Sequence, residues 1–153
     1  MQPQLVTKPA FTVVGMVLRA TPMTPEIPKL WDRFGPRIDE IADLAEPQVS
    51  YGIVDHFDEA TDQFDYMAGC SVTAAQTLPE GMVRWEVPAS SYAVFTTSLA
   101  TLGQVMGHIY SVWLPGSGYQ HGAGAYFERY GEEFDSSDPA TPFEIYIPVE
   151  KLA

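Results

Sequence analysis

Residues 125–130 read AYFERY, a single carboxylate, Glu128, set among Tyr126, Phe127 and Tyr130. The segment is rich in strand formers, and a strand sends successive side chains to opposite faces. Tyr126, Glu128 and Tyr130 then share one face. A carboxylate there is either ordinary surface or the negative end of a pocket walled by rings. Aromatic faces attract organic cations through their quadrupole, by about 0.5–2 kcal/mol per ring depending on desolvation. A partly buried carboxylate adds Coulomb attraction. The same group, raised toward neutral pKa by apolar surroundings, could instead work as a general base. Glu86, beside Trp85, is a second candidate acid.

The other reactive types carry less. Cys70 lies in an apolar strand with no basic neighbour in sequence, the setting of an inert buried thiol. His56 with Asp55, Asp58, Asp62 and Asp65 invites a metal reading, but the glycine and terminal glutamate of an EF-hand loop are missing. A solvated acidic hairpin turn accounts for it, and no metal or other cofactor is expected. His108 and His121 have no visible nucleophile partner for a triad. GAG at 122–124 precedes a strand rather than a helix, so no dinucleotide loop follows.

These residues must be positioned by regular elements. Residues 4–19 read as a strand with a bulge at Gly15. Ile27, Leu30, Trp31, Phe34, Ile38 and Ile41 recur at helical spacing, with Thr24 as N-cap and Pro25 in the first turn. Trp31 sits on that apolar stripe and reads as core. Pro36 should kink or end the helix. Strands at 48–57 and 64–72 form a hairpin across an acidic turn. The order then repeats: a strand over 82–98 interrupted at Pro88, a helix bearing Leu102, Val105, Met106, Ile109, Tyr110 and Trp113, a strand at 125–133 and another at 143–150. Phe11, Tyr51 and Phe64 of the first half correspond to Tyr92, Tyr126 and Phe143 of the second. Two strand–helix–strand–strand halves, about 5–75 and 82–150, predict one α+β domain over 1–153, an antiparallel sheet with two helices and a cleft between the repeats. The 73–81 joint is too short for an interdomain linker.

Composition sets the limits. The chain has 153 residues, 46% hydrophobic, enough for a sizeable core. Twenty acids against eight bases give a formal net charge of −12. The bases are scattered from Lys8 to Lys151, and a nucleic-acid surface needs them clustered, so no direct nucleic-acid partner is expected. An acidic field favours cations. The single cysteine excludes an intrachain disulfide and fits a cytoplasmic setting. The N-terminus has no signal-peptide pattern, and no apolar run is long enough to span a membrane.

The segments LWDRFGPRIDEI, YGIVDHF, FDYMAGCSV, LPEGMVRWEVPASSYAVF, YSVWLPGSGY, YFERYGEEFD and EIYIPVE, in that order, resemble the GyrI-like small-molecule-binding domain. That domain is also the effector-binding half of AraC-type and MerR-type bacterial multidrug regulators. The resemblance spans about residues 5–150. It implies a tandem strand–helix–strand–strand fold with an aromatic-lined ligand pocket between the repeats. In multidrug-sensing members an acidic residue at the pocket base recognises lipophilic cations, and the matching position here is Glu128. Candidate wall residues are Tyr51, Tyr66 and Met67 from the first half and Trp85, Trp113, Tyr119, Tyr126 and Tyr146 from the second. No helix-turn-helix segment accompanies the domain, so the chain reads as a stand-alone form. Three readings stay open: a binding module for hydrophobic cations, a small hydrolase with Glu128 as base, and a gyrase-inhibitor-like module for a protein partner. A homodimer is equally open.

Overall fold

The central strand segments are apolar at successive positions, as at Val13–Val14 and Met67–Ala68, so each has apolar side chains to bury on both faces. The structure, a computed structural model, describes residues 2–22, 24–75 and 77–152, so Gln76 of the 73–81 joint lies outside the described residues. Nine strands run β1 (Gln4–Lys8), β2 (Phe11–Ala20), β3 (Ser50–Asp58), β4 (Gln63–Val72), β5 (Val83–Val87), β6 (Ser90–Ser98), β7 (Tyr119–His121), β8 (Tyr126–Tyr130) and β9 (Pro142–Lys151). Helix α1 (Glu26–Phe34) follows β2, and helix α2 (Leu102–His108) follows β6.

All strand pairs are antiparallel, in the order β1-β6-β9-β8-β3-β4-β2-β5 with β7 beside β9. The order is symmetric about the β3–β8 pair, as a pseudo-twofold tandem repeat requires. Each repeat also lends its first strand to the other: β1 pairs with β6 and β5 pairs with β2. The register of β1 on β6, Lys8 opposite Ser90, continues unslipped into β2 on β5, Phe11 opposite Val87. The sheet therefore curls until its two ends meet. The break between the paired segments falls at Pro9 and Pro88, which lack the N–H a ladder needs. The single strand expected over 4–19 is thus two, split at a proline.

Gly15 is a close approach rather than a bulge. It sits in an uninterrupted β2–β4 ladder opposite Gly69, and a Cβ there would collide with the Ala68 carbonyl oxygen. The Thr24 hydroxyl accepts the Glu26 N–H at 3.3 Å, and α1 ends at Phe34 in a 3₁₀ turn, Gly35–Glu40, that accommodates Pro36. Helix α2 passes into a π-helical turn, Ile109–Trp113, and closes at Leu114–Gly116.

The closed sheet has an inner and an outer face. The inner core draws Val13 from β2, Tyr51 and Ile53 from β3, Met67 from β4, Tyr92 from β6 and Phe127 from β8. Phe127 is its hub, with ring centroids 4.6 Å from Tyr146 and 5.5 Å from Tyr51. Such aromatic pairs contribute about 0.5–1.5 kcal/mol each beyond the area they bury. On the outer face α1 covers one cluster around Leu30 and Phe34, and α2 covers another around Phe95, Ile109 and Ile145. Trp31 and Tyr126 touch both clusters. The site lies where they meet. No described helix is long and apolar enough to cross a membrane.

Candidate functional site

Strand alternation sends Tyr126, Glu128 and Tyr130 of β8 to the outer face and Phe127 and Arg129 to the inner one. Beside them, β4 presents Tyr66 on the outer face, and α1 lays Trp31 across the top. Between the two helices these residues floor and wall a cavity of about 1420 Å³. Ile27, Phe64, Tyr110 and Phe134 complete much of its apolar surface. Asp32, Asp55 and Glu59 also contribute to the lining, and among the described residues no lysine or arginine does.

Glu128 is the focus of a short hydrogen-bonded chain. The Trp31 indole N–H donates to the Tyr66 hydroxyl at 2.9 Å, and that hydroxyl donates to Glu128 Oε1 at 3.2 Å. The Tyr130 hydroxyl donates to the same oxygen at 2.8 Å. An indole nitrogen can only donate, so Tyr66 must accept there and turn its own proton toward the carboxylate. Both hydroxyls meet on Oε1. Among the described residues Oε2 accepts no hydrogen bond, and the partly exposed Glu128 side chain lines the cavity. Burial pushes the Glu128 carboxyl above its ordinary range, and the two tyrosine hydrogen bonds only partly oppose this. Glu128 makes no salt bridge among the described residues. Burial and the Glu128 charge together hold the Tyr66, Tyr126 and Tyr130 phenols well above their usual value, so these rings stay neutral hydrogen-bond donors.

Of the eight residues proposed from sequence, Glu128, Tyr66 and Tyr126 line this cavity. Tyr51, Trp85 and Tyr146 belong to the inner core instead, as does Met67. Their strands put them at the alternate positions: Gly52 and Val54 face outward, so Tyr51 cannot. Trp113 and Tyr119 stack on each other at 6.3 Å beneath α2, Trp113 also packing on Phe95 at 5.3 Å. The π turn explains Trp113. Its i→i+5 bonding advances each residue by a smaller angle than an α-helix, which swings Trp113 away from the face that Tyr110 presents to the cavity. Glu86 accepts the Thr12 hydroxyl at 2.9 Å, away from the cavity.

The cavity also uses residues that the pattern of the sequence did not single out. Trp31 is a wall and a donor, not interior core, because it tops the junction between the two helix-covered clusters. Phe57 reaches the mouth because β3 has an irregular register between Asp55 and Asp58, with His56 at φ 54°. His56 is thereby turned to Asp65, Nδ1 to Oδ2 at 2.8 Å, with its ring edge-on to Trp85. The signal for Tyr130 was present in AYFERY as a shared face with Glu128. Nothing local marked Phe57.

Solved structures share this fold. An integron cassette protein from the Vibrio cholerae mobile metagenome is 24% identical, with 97% of this chain and 96% of that one covered and a TM-score of 0.67. SAV2435, solved bound to tetraphenylphosphonium, is 19% identical, with 98% and 94% covered and a TM-score of 0.72. In sequence, the transcriptional regulator BrlR of Pseudomonas aeruginosa is 40% identical over 152 residues. That match takes in 97% of this chain but 56% of BrlR, so the chain spans little more than half the length of that relative. Residues 4–149 match the family of integron-associated effector binding proteins, Cass2, and the chain belongs to that family.

Proposed function

We propose that this protein binds bulky lipophilic cations in the cavity between its repeats, with Glu128 as the charged anchor. The observation that carries the reading is a carboxylate held, among the described residues, only by neutral donors at the floor of an aromatic-lined cavity that no described lysine or arginine lines. Desolvating an anion with no countercharge is costly, and a cation arriving at Oε2 offsets that cost. The membership in an effector-binding family and the tetraphenylphosphonium held by SAV2435 support the same reading. The likeness to BrlR suggests an effector role in regulation, exerted through whatever the protein is joined to or acts with.

The test is a calorimetric titration of tetraphenylphosphonium and of neutral triphenylphosphine oxide against wild type and Glu128→Gln. Glutamine keeps the shape and removes the charge. Cation affinity should fall about 10- to 100-fold, the worth of a charged hydrogen bond or partly buried pair. The neutral probe should bind the variant at least as well as wild type. Equal cation affinity for both proteins would sink the anchor role. Hydrolysis of an ester that is lost in Glu128→Gln would instead favour a general base.

A further inference from the structure

Gly52 lies on β3 directly opposite Glu128 on β8, and on its other side opposite Ala68 on β4. Tyr66 pairs with Val54, one outward-facing position further along β3. To reach Glu128, the Tyr66 side chain must cross β3 diagonally, over Gly52. A Cβ built on Gly52 would overlap the Tyr66 hydroxyl and lie 2.8 Å from Glu128 Oε1 and 3.0 Å from Tyr66 Cζ. Gly52 has no positive φ among the described residues, so backbone conformation does not call for glycine there. Glycine inside a strand is otherwise unfavourable, since it packs nothing and costs chain entropy. What the position requires is empty space.

We propose that Gly52 is a positioning residue of the site. Its missing side chain is the slot through which the Tyr66 hydroxyl reaches Glu128, so that both tyrosine protons gather on Oε1 and Oε2 is left for the ligand. Trp31 completes the device from α1 by fixing the direction of the Tyr66 proton. The proposal rests on the reading of Glu128 as the ligand's anchor, but its geometry can be probed without any ligand. The groups bonded to the carboxyl are Tyr66 from β4 and Tyr130 from β8; Tyr126 shares its face on β8, and the Trp31 N–H from α1 acts through the Tyr66 hydroxyl. Asp32, Asp55, Glu59, His56 and His121 stand elsewhere in the cavity lining.

The experiment compares wild type, Gly52→Ala, Tyr66→Phe and the double variant, with two readouts. The first is tetraphenylphosphonium affinity. Gly52→Ala should lose about tenfold, as for one displaced charged hydrogen bond. In the Tyr66→Phe background the hydroxyl overlap is gone and only the closer approaches to Glu128 Oε1 and to the ring remain, so the same alanine should cost less, under about threefold. The second readout is the Glu128 carboxyl titration followed by carbon NMR. Gly52→Ala should move it upward, in the same direction as Tyr66→Phe, because each removes a hydrogen bond to the charged form. An alanine that costs as much without the hydroxyl as with it, or that leaves the Glu128 titration at its wild-type position, overturns the proposal. If Gly52→Ala does not fold, folding of Gly52→Ala/Tyr66→Phe supports the overlap, and failure of both overturns it. A cation affinity unchanged in Glu128→Gln would defeat the anchor reading while leaving the NMR comparison to decide on Gly52.

Discussion

Two carboxylates on opposite faces of one sheet show how the same side chain is put to different uses. Glu46 accepts the Tyr51 hydroxyl at 2.6 Å, the Ser71 hydroxyl at 2.8 Å and the Arg129 guanidinium at 2.9 Å. Burial alone would raise its carboxyl, but these bonds and the Arg129 charge outweigh it and bring Glu46 below its ordinary value. Glu128 has two tyrosine hydroxyls and, among the described residues, no cation, and burial wins. Arg129 is the next residue in the chain, yet it cannot help. It points to the other face, where it is spent on Glu46 and on Glu144 at 3.6 Å. A carboxylate with hydrogen bonds on both oxygens and a cation beside it belongs to the structure. One held by neutral donors is poised for a charge from outside.

The sharpest way to break this contrast is to remove the cation from the satisfied side. Arg129→Met should destabilise the fold by about 3 kcal/mol, since it strands Glu46 among packed groups. The pair keeps about a third of its surface, which places the effect at the low end of the range for buried pairs. Urea unfolding measures it. Adding Glu46→Gln to Arg129→Met should recover much of the loss, whereas Glu128→Gln should add only the increment it gives to wild type.

Smaller effects come from pH, and the two acids should pull in opposite directions. Glu128 titrates higher folded than its ordinary value of 4.5, so the folded state holds that proton more tightly. Its cost is absent below 4.5, accrues as pH rises through the raised value and is constant above it. Glu46 titrates lower folded, so its stabilisation is present above 4.5 and is lost as pH falls through the lowered value. Thermal unfolding from pH 4 upward should therefore lose one downward component in Glu128→Gln, leaving that variant more stable than wild type at neutral pH. Tetraphenylphosphonium affinity of the wild type should rise with pH across the same window and level off. A flat affinity profile would contradict the unpaired state of Glu128.

The smallest expected effect tests how far Glu46 is neutralised. Burial, with a minor push from the Glu46 charge, takes the Cys70 thiol up to about 11. Native Cys70 should react with Ellman's reagent at neutral pH far more slowly than the unfolded chain. Glu46→Gln should lower the pH midpoint of its labelling slightly. A large drop would mean that Arg129 screens Glu46 less than the geometry indicates.

Much of the architecture was legible because it is periodic. Alternation along AYFERY put Tyr126, Glu128 and Tyr130 on one face, and the repeated strand–helix–strand–strand order foretold a cleft between halves. The prolines mark the breaks, and Pro9 divides what strand propensity alone reads as one strand. The aromatic walls were less legible. Tyr51, Tyr146 and Trp113 have the residue types of a ligand wall, but composition does not say which face a strand or a π turn presents. Trp31 looked like core because helical spacing marks an apolar stripe, not what lies above it.

Local pattern is enough to fix local geometry: which side chains share a face, where helices start and stop, and that the Arg129 charge leaves the side on which Glu128 stands. Which of them meet depends on the assembled fold. Tyr66 finds Glu128 across 62 residues, and Glu46 finds Arg129 across 83. Gly52 acquires its role only because β3 lies between β4 and β8. These pairings follow from strand register and from the closure of the sheet. Register and closure are set by how all the faces pack at once, a sum over the whole chain that no local pattern contains.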